Sequence, residues 1–134
     1  MNNKSFILTV IASYVVMAII GIITDMATRA QMASYYAIGR SEMEMAAMMP
    51  WMLIGYLITT IVFCYFFVKG REGGGIMEGI RFGACFGVMI SGTILVSYSA
   101  LPFDMTALIT QVVATIVIYM IGGAVAALVY KPGN

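Results

Sequence analysis

"FILTVIASYVVMAIIGII", residues 6–23, runs for eighteen residues without a charged side chain. At about 1.5 Å per helical residue it covers about 27 Å, close to the roughly 30 Å hydrocarbon core of a bilayer. Three comparable runs follow: "WMLIGYLITTIVFCYFFV" at 51–68, a third over about 82–101 and a fourth over about 105–130. The composition agrees, since 62% of the 134 residues are hydrophobic and 10% charged, against about a quarter charged in soluble domains. The chain is therefore expected to be all-α, an integral membrane four-helix bundle forming one domain over 1–134. The spans are placed at about 6–25, 50–68, 78–100 and 105–130. Lys4 precedes the first run as it would in a signal peptide. The apolar region, however, exceeds the usual 7–15 residues and no small-x-small cleavage site follows, so it is expected to stay as a span.

Basic residues orient the spans. With both termini cytoplasmic, Lys4, Lys69, Arg71, Arg81 and Lys131 lie inside, and only Arg29 and Arg40 lie outside. A bacterial inner membrane with cytoplasmic termini is the expected location.

Several chemistries are poorly served. The sequence has no histidine, which removes the commonest haem ligand, general base and zinc ligand together. Cys64 and Cys85 fall in apolar runs and form no CxxC pair, so they read as small hydrophobes. The inner loop "KGREGGG" lacks the GK[ST] ending of a phosphate loop, and no nucleotide is expected. A net charge of +1 gives no reason to expect nucleic acid. No acid or base lies at mid-membrane depth, which argues against ion-coupled transport. No cofactor and no enzymatic activity are expected.

Close helix contact is the clearest positive signal. Gly79, Gly83, Gly87 and Ser91 recur every four residues in the third span. That strip of nearly bare backbone allows another helix to approach closely. Gly122, Gly123, Ala126 and Ala127 on the fourth span are the expected partners, with Ala12, Ala18 and Gly21 on the first span as a second surface. A seam with another chain is the competing reading. Packing within the protomer is favoured, because consecutive antiparallel spans on short loops normally neighbour each other. Gln111 is the one amide inside a span, and it is expected to bond a neighbouring helix. Arg81 can snorkel toward headgroups or pair with Glu78 one turn away.

The first outer segment is long and patterned. "SEME" at 41–44 fits a capping box, so a helix should start there. "MATRAQMASYYAI" before Gly39 should form an interfacial helix. Pro50 is expected to kink or break the chain near Met49. Asp104 should cap the fourth span after the turn "ALPFDM". On an unbroken helix Met45, Met48, Met49 and Met52 would share one face, and four thioethers there could bind Cu(I). Against this, methionine is used freely as a flexible hydrophobe throughout this chain. Trp51 beside the cluster reads as an interface anchor.

The "YYAIGRSEMEM" segment, the "GIRFGACFG" start of the third span, the short proline turn and the small-residue fourth span ending "YKP" carry a resemblance. Over nearly its whole length the chain resembles a group of small bacterial four-span inner-membrane proteins bearing a domain of unknown function. The resemblance implies fold and topology and transfers no functional residues. Members often place histidine near the end of span one, where this chain reads "IITDMATRA". The expected function is an accessory or assembly subunit of a larger membrane complex, or a self-associating bundle. Its partners are then the lipid bilayer and other membrane subunits or itself. The alternatives are Cu(I) handling through the outer methionines, and a small-solute transporter or channel using Gln111, Thr115 and Ser91.

Overall fold

The computed structural model describes residues 2–133. It contains five helices and, among the described residues, no strand: α1 (Asn3–Thr28), α2 (Ala33–Ala37), α3 (Glu42–Gly70), α4 (Gly75–Ala100) and α5 (Met105–Val129). All but α2 are long and apolar enough to cross a membrane. The protein is an all-α, multi-pass membrane bundle.

Each long helix starts where its sequence supplies an acceptor for the first free amides. Asn2 accepts from the Ser5 amide at 3.3 Å, and Asp104 from the Ala107 amide at 2.8 Å. Ser41 and Glu44 form the full reciprocal capping box. The α4 start has no side-chain cap of that kind. Instead the Glu78 carboxylate reaches back one turn and accepts the amides of Glu72, Gly73 at 3.1 Å and Gly74 at 2.7 Å. The loop can wrap a carboxylate this way because Gly73 and Gly75 adopt φ of 92° and 69°, the left-handed region that disfavours any residue with a Cβ.

Two expectations about the outer segment are corrected. The stretch "MATRAQMASYYAI" is not one helix. Met26, Ala27 and Thr28 belong to α1, a turn follows, and only Ala33–Ala37 form α2. Its helix-favouring residues simply prolong the first span by another turn. Nor is the chain broken at Pro50, which lies inside α3. Proline deletes one bond to the carbonyl of Ala46. That residue lies in the exposed part of α3, where the freed carbonyl can be solvated and the capping box at Ser41 holds the turns before the proline.

The core gathers around α5, which touches every other helix. The tightest pair is α4 with α5. On the other side of α5, α1 presents Ser5, Thr9 and Ser13, all buried. The α3 helix buries residues only in its second half, namely Thr60, Phe63, Cys64, Phe67 and Val68. Its first half is tied to α1 by the Tyr14 hydroxyl, which donates to the Leu53 carbonyl at 3.2 Å. Phe63 is wholly buried, with ring centroids 5.2, 5.1 and 5.4 Å from Phe82, Phe86 and Tyr119. At the end opposite the termini a second cluster of Met32, Phe103, Ala107 and Leu108 is roofed by Tyr35 and Tyr98. There the Asp104 amide donates to Ser34 Oγ at 3.0 Å and ties α2 to the start of α5.

Candidate functional site

The small residues of α4 and α5 lie where their backbones meet. A Cβ placed on Gly79 would run into the Gly123 carbonyl and come within 2.8 Å of the Ala127 Cβ. At Gly83 it would overlap the Tyr119 carbonyl and Met120 Cα, and at Gly87 it would lie 2.8 Å from Ile116 Cα. Ser91 is buried and donates back to the Gly87 carbonyl at 2.8 Å. Ala126 is wholly buried in the main core cluster. Gly122 faces the other way, where a Cβ would meet the Met17 thioether of α1. Of the Ala12, Ala18 and Gly21 set expected on α1, Gly21 lies outside the contact, for a Cβ there would meet nothing within 4 Å, and Ala12 and Ala18 are half-buried. The buried polar surface of α1 is the hydroxyl stripe Ser5, Thr9 and Ser13, four residues apart. Thr9 donates to the Ser5 carbonyl at 2.7 Å, so each polar group is satisfied within the seam. The spacing of those hydroxyls was the signal available in the sequence.

One polar expectation fails, and one of the two alternatives for Arg81 is removed. Among the described residues no side-chain hydrogen bond joins Gln111 to another helix; the residue is only half-buried, so its amide is not forced to find a partner in the core. Arg81 does not pair with Glu78, because that carboxylate is turned into the loop amides. The one ion pair among the described residues is Arg29 with Glu42, 2.7 Å apart and largely exposed, and such surface pairs contribute about 0–1 kcal/mol.

That pair belongs to a polar corner at the end opposite the termini. Tyr36 donates to the Asp25 carboxylate, and Arg29 lies 6.0 Å from the Tyr36 ring. Burial, then the bond to Asp25 and its negative charge, push the Tyr36 phenol from 10.0 up to about 12. The fold thus favours the protonated phenol. Its contribution to stability is complete below pH about 10 and is lost as pH rises through about 12. Melting temperatures followed across that range should fall, and Tyr36→Phe should flatten that fall.

The methionine cluster has no core role. Met45, Met48, Met49 and Met52 are between 39% and 48% exposed. Because α3 is unbroken, they fall within a sector of about 100° on one face. Their surroundings are equally bare, since every residue over 42–58 is exposed. Among the described residues no group of histidine, cysteine, aspartate or glutamate is placed to hold a metal.

At the opposite end the chain closes on itself. The Lys131 amide donates to Ser5 Oγ at 2.6 Å and Asn2 Nδ2 to the Lys131 carbonyl at 3.3 Å. Arg71 lies 5.3 Å from the Tyr130 ring and donates to the Tyr130 carbonyl at 3.3 Å. The α3–α4 loop, the start of α1 and the end of α5 are thereby joined through Tyr130.

No protein-family model, curated protein or solved structure matches this chain.

Proposed function

We propose that the protein is a non-catalytic accessory subunit that receives a membrane helix of another protein along the outer half of α3. The observation that carries this reading is the exposure of α3 over 42–58 on all sides, including Trp51 at 72% and Tyr56 at 58%. The helix is also long. Its 29 residues extend about 43 Å, some 13 Å beyond the hydrocarbon core. The excess is taken up by tilt or by projecting the methionine turns among the headgroups. Methionine and aromatic side chains give such a surface adaptable contact. The excess of basic residues at the end with the termini supports a cytoplasmic placement of that end in a bacterial inner membrane. Mild extraction followed by native mass measurement should show a second chain in fixed ratio. A photo-crosslinker at Met52 should capture it, whereas one at Ile7 should not. A clean monomer would overturn the proposal, and a species of twice the mass would assign self-association instead.

A second reading, Cu(I) handling, is favoured by the unbroken helix at Pro50, which keeps four thioethers on one face. In a competition assay against a Cu(I) chelator, the protein should hold stoichiometric copper that disappears when Met45, Met48 and Met52 are all changed to leucine. Equal binding by the triple variant ends this reading.

A further inference from the structure

At the end carrying the termini, a cleft of about 430 Å³ opens between the end of α3 and the start of α4. It is graded in polarity along the helices. Arg71 and Glu72 line it from the loop, Glu78 and Arg81 from the first turns of α4, and Phe67, Phe82 and Cys85 add apolar surface. Cys85 lies ten residues into α4, about 15 Å along the helix from Gly75.

The charges within this cleft are unequally committed. Glu78 would be the natural partner for Arg81, but its carboxylate is occupied by the loop amides. Arg71 is occupied by the ring and carbonyl of Tyr130. Arg81 is exposed and has no carboxylate at ion-pair distance among the described residues. A guanidinium at the margin of hydrocarbon without a counter-ion is costly. It offers a planar fork that suits phosphate oxygens. One turn deeper on α4, the exposed Cys85 continues the same wall with apolar surface. Lys4, Lys69 and Lys131 add positive charge at this end, where anionic lipids gather around basic residues.

We propose that this cleft binds an anionic glycerophospholipid, its phosphate on Arg81 and an acyl chain laid along Phe82 and Cys85. A free anion would use Arg81 but gain nothing from the apolar depth. A zwitterionic lipid would use the depth but carries no net negative charge to offset the unpaired Arg81. The graded lining selects a molecule with both parts.

The test uses the full chain in neutral detergent, offered equal amounts of phosphatidylglycerol and phosphatidylcholine with the same acyl chains, and read by native mass measurement. Phosphatidylglycerol adducts should survive at collision energies that strip phosphatidylcholine. Arg81→Gln should cut the retained fraction about fivefold, the loss expected for one cation near an anionic headgroup, and Arg81→Lys should restore part of it. Cys85→Phe leaves every charge in place and fills the apolar wall at an exposed position that tolerates bulk, so it should also lower retention. It decides the matter if Arg81→Gln fails to fold. Equal retention of the two lipids overturns the proposal, as does wild-type retention by a folded Arg81→Gln protein or by Cys85→Phe. A parallel sample given inorganic phosphate alone should show no adduct. A phosphate adduct that disappears in Arg81→Gln would assign Arg81 to a free anion and overturn the lipid.

Discussion

Gly83→Leu is expected to lower the stability of the bundle by about 3 kcal/mol, the upper end of the usual range for forcing bulk into a packed interface. The reason is what the new Cβ would meet. Its neighbours would be the Tyr119 carbonyl carbon at 2.7 Å and Met120 Cα at 2.8 Å. Both are backbone atoms of a helix, which cannot turn aside as a flexible side chain can. The two helices must separate, and the dispersion contacts along Gly79, Gly83 and Gly87 weaken together. In lipid nothing replaces them, because apolar side chains gain little by leaving acyl chains for one another. Gly92 provides the control, since a Cβ there would meet nothing within 4 Å. Gly92→Ala should be neutral or stabilising by up to about 1 kcal/mol through helix propensity. Unfolding in detergent, followed by circular dichroism, measures both. A Gly83→Leu protein within about 0.5 kcal/mol of wild type would mean that α4 and α5 do not meet as described.

Phe63→Ala is expected to cost about 3 kcal/mol, the lower end of the range for deleting a buried aromatic ring in a soluble core. The lower end applies because the unfolded reference in lipid already keeps the ring out of water. What remains is the cavity and the lost contacts with Phe82, Phe86 and Tyr119. The consequence is local as well as global. Phe63 and Phe67 provide most of the bulk by which α3 is anchored, and none of its first seventeen residues is buried. The variant should therefore release α3 before the α4–α5 pair opens. Limited proteolysis in the α3–α4 loop should accelerate, while a disulfide engineered across α4 and α5 still forms. If α3 and the α4–α5 pair loosen together, α3 is not released independently of that pair.

The four spans and the caps at Ser41 and Asp104 are legible in the sequence because each rests on local physics: an uncharged run matched to bilayer thickness, or a short acceptor placed before free amides. The errors arise where a local rule competes with neighbours. Pro50 removes one hydrogen bond, and the rule that it interrupts a helix assumes that the freed carbonyl has no other recourse. Gln111 was expected to need a partner because an amide inside a span cannot be fully satisfied alone, and whether one is in reach depends on which helices surround it. Glu78 is the clearest case. Its spacing from Arg81 suggests a pair on one helix, yet three amides compete for the carboxylate, and two glycines at positive φ aim the loop toward it. That outcome needs the loop conformation, which "REGGG" permits without dictating. The methionine face shows the reverse: an unbroken helix keeps together residues that a proline break would have scattered.

The position of α5 has a consequence for how the molecule is made. It follows the other helices in the sequence, and it is the surface on which α1 and α4 both close. During synthesis α1 must leave the translocon with its Ser5, Thr9 and Ser13 stripe facing lipid, and α4 with its bare glycine backbone uncovered. Neither can find its seat until the residues after Met105 emerge. Ribosome-bound chains halted before that point would be inserted but unassembled, and would be the form most open to capture by membrane chaperones or proteases.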